Sequence, residues 1–126
     1  MGVQPVLSER GGVALELALT IPTLILVLLA VLEVVVVARI QLELVAAARE
    51  GARVAATNPD PEAGVTAATS TLSSELAGKV SVTVTRPAVV GRPATVTVRL
   101  WHQLVTPIMR WHSVELTGRA TMRVER

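Results

Sequence analysis

The sequence predicts an α+β chain: a long N-terminal transmembrane helix that continues beyond the membrane, a second short helix and a three-stranded antiparallel sheet. Three observations predict it. Leu17 to Ala38 is an apolar run of 22 residues in which Glu33 is the only charge. The helical pattern then meets no breaker before Asn58 and Pro59. From Val80 the apolar period falls to two, the signature of half-buried strands.

Composition narrows the class. Of the 126 residues, 51% are hydrophobic, 2% aromatic and none is cysteine, which excludes a disulfide-stapled mini-protein, a zinc ribbon and a thiol enzyme. The net charge is only +2, but residues 79–126 hold eight basic and two acidic side chains. Most long aliphatics lie before residue 46, so a lipid bilayer, and not nucleic acid, is the first partner to consider.

At ~1.5 Å per residue, the apolar run spans roughly 33 Å as a helix, the thickness of a hydrocarbon core. It is apolar on every side, and the rest of the chain is too short to surround it. Pro22 removes one N–H from the ladder, which membrane helices tolerate, and predicts a local kink. A cleaved secretory signal is the competing reading, with Ala46, Ala47 and Ala48 as its small-residue site, but such signals carry an apolar stretch of only ~7 to 15 residues.

The helix extends past Arg39, because Arg39 and Glu43 sit four apart and Glu50 and Arg53 three apart. One rod from about Val13 to Thr57 follows, roughly 67 Å long at ~1.5 Å per residue. Ala47, Gly51 and Ala55 make a row of small residues that lets another helix approach closely. Gly51 is costly in a helix, by ~1 kcal/mol, so propensity alone does not explain it.

Asp60 can cap a second helix with Pro61 at its first position and Glu62 in its first turn. Val65, Ala68, Leu72 and Leu76 give it one apolar face up to Gly78. Strands are expected at Val80–Thr85, Ala94–Leu100 and Val114–Glu125, with Pro87, Gly91 and Pro93 in the first connection. Roughly 70 residues outside the membrane rarely supply more than ~3 to 5 kcal/mol, so neighbouring subunits are expected to contribute.

No catalytic constellation is present. His102 and His112, each preceded by a tryptophan (Trp101 and Trp111), are two ligands where a zinc site needs three or four. Their expected place is a connection at a membrane interface or a subunit contact, since tryptophan joins an apolar body to a polar edge. Ser113 lacks a nucleophile elbow and a placed acid. Lys79, Arg86, Arg92, Arg99, Arg110, Arg119, Arg123 and Arg126 could meet anionic headgroups, but read more simply as the solvated face of a sheet. The chain is therefore expected to be no enzyme and to bind no cofactor or metal.

Glu16 is expensive at the head of a membrane helix and marks a functional position unless it merely complements the helix dipole at the interface. A short basic leader, Gly11, four residues, then Glu16 and an apolar helix resembles the type IV prepilin signal. The string ERGGVALELALTIPTLILVLLAVLEV, followed by AAAREGARVAA, extends the resemblance to the TadE-like proteins of the tight-adherence pilus. VTP at 105–107 and VELTGRATMRVE at 114–125 are similar to that family's end. Val34 and Val35 depart from it, standing where members often carry an aromatic and a glycine.

The resemblance implies cleavage between Gly11 and Gly12 by a prepilin peptidase, with Glu16 then pairing with a new terminal amine during assembly. It divides the chain into a leader at 1–11, a transmembrane helix at 12–38, an extracytoplasmic extension at 39–57 and a small α+β head at 58–126. It also implies a minor pilin or pseudopilin in the bacterial cytoplasmic membrane that meets other pilin subunits and the assembly machinery. The N-terminus would lie inside, although Arg39, Arg49 and Arg53 against Arg10 make the positive-inside count favour the reverse. The competing class is a signal-anchored binding module or adhesin that enters no filament.

Overall fold

The computed structural model describes residues 2, 7–107 and 109–125; side chains are described from Gly11 onward, apart from Gly2. The part of the leader at Met1 and 3–6 lies outside them, as do Ile108 and Arg126. The first helix, α1, runs Leu7–Thr57, a rod of 51 residues that starts before Val13 and passes through Pro22 as one helix. Near the proline, the hydroxyls of Thr20 and Thr23 donate to the carbonyls of Glu16 and Leu19 at 2.7 and 2.9 Å, keeping polar side chains satisfied within an apolar stretch.

The rod ends where the sequence supplies a stop and a new cap. Asn58 N–H still donates to the Val54 carbonyl, and Asp60 then accepts from the Glu62 N–H at 3.0 Å, with Pro61 opening α2 (Pro61–Thr71). The expected continuous helix to Gly78 is corrected here: the chain becomes extended at Leu72, and a separate turn, α3, covers Ser74–Ala77. Thr69, Ser70 and Thr71 all donate their hydroxyls back to carbonyls of the preceding turn, which weakens the helix end, while the extended backbone accompanies a Leu72 side chain buried in the core.

The sheet is an antiparallel meander of β1 (Val80–Thr85), β2 (Pro93–Gln103) and β3 (Ser113–Arg123), with β2 central. Val82 pairs with Val98, Val96 with Ala120, and Leu100 with Leu116, so one face collects the branched aliphatics. Gly91, at φ 85°, supplies the left-handed turn before β2. β2 continues past Leu100 through Trp101 and His102 to Gln103, which pairs with Ser113.

The core lies between this sheet, the upper half of α1 and α2. Leu44, Ala47, Ala52 and Ala55 of α1 meet Ala68 of α2 and Val96 and Val98 of β2, all fully buried and none aromatic. Small residues let the backbones close up. A Cβ at Gly118 would collide with the Leu44 carbonyl group, so β3 can lie on α1 only because that position is glycine. Val114 and Met122, expected on the apolar face, are 40% and 38% exposed, whereas Val124, just beyond the strand, is buried.

Candidate functional site

The two halves of α1 have different surroundings. From Val13 to Val36 the long aliphatics other than the half-buried Leu29 are 40 to 67% exposed, whereas Leu44, Ala47, Ala48, Ala52 and Ala55 are fully buried. Among the described residues there is one helix long and apolar enough to cross a membrane, and its most apolar window has no cover from the rest of the chain. That is the arrangement of a single-pass anchor whose exposed surface faces lipid.

The head is fastened to the upper half of the rod at successive levels. Glu125 N–H donates to the Ala56 carbonyl at 3.1 Å and Arg86 to the Ala55 carbonyl at 2.7 Å. Lower down, the Ser73 hydroxyl donates to the Glu43 carboxylate at 3.2 Å, and the Gln41 amide to the Thr117 carbonyl at 2.7 Å. The lowest of these ties is at Glu33.

Glu33 is the charge that interrupts the apolar run, and its side chain is only 12% exposed. One carboxylate oxygen lies 3.2 Å from His102 Nε2, and the other accepts the Val105 N–H at 2.9 Å. Both partners come from the end of β2 and the connection after it, so a single carboxylate holds the tip of the sheet against the helix. Hydrogen bonds to an ionised carboxylate are among the stronger ones, and they compensate for its removal from water.

This joint was not singled out by the sequence reading, which considered His102 with His112 and gave Glu33 no role. A signal was nevertheless available. The period-two pattern puts His102 on the same face as Val98 and Leu100, which is the face that must turn toward the helix. A polar residue on that face, and a lone acid in an apolar helix, each need a partner.

The other candidate residues fall as follows. Gly11 and Gly12 lie within α1, exposed, with open space around each. Glu16 is exposed on the helix, about one and a half turns above Gly11, with no ion pair among the described residues. Ala47, Gly51 and Ala55 turn inward, and the helix that approaches them is the chain's own α2: a Cβ on Gly51 would stand 2.9 Å from the Ala68 Cβ and 3.0 Å from the Gly64 carbonyl oxygen.

His112 lies outside the strand pair and is exposed, its N–H donating to the Met109 carbonyl at 2.9 Å. Among the described residues no group of three or more histidine, cysteine or acidic side chains is placed to hold a metal ion. Arg99 stands 3.6 Å from Glu115 on the outer face of the sheet. On the exposed side of α1, hydrogen bonds from Arg53 hold the Glu50 carboxyl below its ordinary range.

No curated protein and no solved structure matches the chain. One family model does, over residues 11–53, a segment that takes in the exposed apolar half of α1, Glu16, Glu33 and most of the buried half. The model is that of the TadE-like proteins, to which this segment is similar.

Proposed function

We propose that the chain is a membrane-anchored, pilin-like structural subunit, a minor pilin or pseudopilin, acting in assembly of the tight-adherence pilus. The observation that carries this reading is the division of α1: a TadE-like helix whose lower half is apolar and bare while its upper half is the spine of a small α+β head. Such a subunit is held in the bilayer by the bare half until neighbouring helices replace lipid around it. In this reading a prepilin peptidase removes residues 1–11, the head lies outside the membrane, and Glu16 pairs with the amine of Gly12 on assembly, which offsets the cost of burying its charge.

Mass spectrometry of the protein recovered from cells with and without an active prepilin peptidase tests the reading. The expected mature chain begins at Gly12 only where the peptidase is active. An intact chain beginning at Met1 in both would contradict processing.

A further inference from the structure

We propose that the connection between β2 and β3 is a second membrane contact, seated in the headgroup layer at the level of Glu33, so that the head lies down on the lipid surface instead of standing off it. The inference rests on the membrane-anchoring part of the proposed function and not on the pilus assignment.

Three observations meet at this place. The first is length: the helix below Glu33, from Val13 to Leu32, is 20 residues, about 30 Å at ~1.5 Å per residue, the thickness of a hydrocarbon core, with Glu16 within one turn of its lower end, where its carboxylate reaches the opposite interface. The second is the tie at Glu33. Its carboxylate is bound by His102 and by the Val105 N–H, so this connection is held against α1 where the apolar segment of matching length ends. A carboxylate and the polar backbone of a turn are costly among acyl chains, which sets the hydrocarbon boundary at this residue and not five residues later at Ala38.

The third observation is the surface that the connection presents. Trp111 is 89% exposed, Val105 70% and Met109 53%, with the exposed Arg110 among them, and Trp101, near the end of β2, is 67% exposed. These apolar side chains are uncovered, like the aliphatics of α1 below Glu33. Tryptophan favours the headgroup layer, where its ring and its N–H are both accommodated, and an arginine there meets lipid phosphates. A bilayer surface satisfies all of these together, because it is already the neighbour of the helix to which the connection is tied.

The chain carries its own probe, since Trp101 and Trp111 are its two tryptophans and it has neither tyrosine nor phenylalanine. The full chain is reconstituted in phosphatidylcholine vesicles and checked by flotation. Its emission is then read with lipids brominated close to the headgroup or close to the chain end, and with iodide in the water. Trp101→Phe and Trp111→Phe separate the two sites. The expected result is a blue-shifted emission, quenched most by the shallow bromines, with a larger loss from Trp111 than from Trp101.

Floating vesicles whose emission stays at the position of tryptophan in water, and is quenched by iodide alone, would overturn the contact while leaving the anchor intact. A blue shift without quenching by brominated lipid would assign the connection to a protein contact and overturn it as well. Failure to float would remove the anchor itself, and the inference with it.

Discussion

The lower and upper halves of α1 are one continuous helix with opposite residue sizes. Below Glu33 the positions are mostly leucine, isoleucine and valine, and they are bare; above it the inward positions are mostly alanine and glycine, and they are covered. Side-chain size here records the nature of the neighbour. Lipid tails are fluid and fill the space around any large aliphatic, whereas a second helix and a sheet have fixed backbones that approach only where the rod is slim. Leu44 is the exception in the upper half, a fully buried large residue, and the sheet accommodates it with a glycine at 118.

The sharpest way to break this comparison is to thicken the upper contact. Gly118→Val places side-chain atoms in the Leu44 backbone, and is expected to cost at or above the top of the ~1 to 3 kcal/mol range for overpacking, enough to abolish cooperative unfolding of the head in a detergent melt followed by circular dichroism. Leu44→Ala should lower the stability of the head by about 2 to 5 kcal/mol, measured by denaturant titration in detergent, while Leu24→Ala in the bare half should leave that transition in place. Equal effects of the two would erase the distinction between the halves.

Two smaller effects sharpen it. Gly51→Ala adds a helix former yet is expected to destabilise by about 1 to 3 kcal/mol, because the new Cβ meets Ala68 and the Gly64 carbonyl. Glu33→Ala should cost about 1 to 3 kcal/mol by leaving the partners at His102 and Val105 unpaired. A double-mutant cycle with His102→Ala separates the imidazole contact from the backbone one.

The smallest effect is at the exposed Glu50–Arg53 pair. Its carboxyl titrates below the ordinary range because of the bond from Arg53, so the contribution is present at neutral pH and is lost only as acid takes the solution through that lowered value. Arg53→Ala should return the Glu50 titration, followed by NMR, toward its ordinary position without a measurable change in melting.

Local pattern carried most of the fold. The rod, the cap at Asp60 and the three strands were legible because each is written in consecutive residues: a long apolar run with a single charge, an acid followed by proline, and an alternation of two. The break at Leu72 was not, since Val65, Ala68, Leu72 and Leu76 still follow a helical period; the serines and threonines that weaken the turn gave the only hint. In the candidate site, Glu16 was noticed for its cost, whereas the partners of Glu33 stand 69 and 72 residues away in sequence and depend on how the strand is laid on the rod. The small-residue row was legible as a place of close approach, but its partner, α2, is fixed by tertiary packing.

The account turns on what surrounds the lower half of α1, and the absence of cysteine makes that directly measurable. Spin labels on single cysteines at Leu24 and Leu42, both exposed on the rod, are compared in vesicles for collision with oxygen and with a water-soluble nickel complex. The account predicts that oxygen dominates at Leu24 and nickel at Leu42. Free access of nickel to Leu24 in vesicle-bound protein would contradict it.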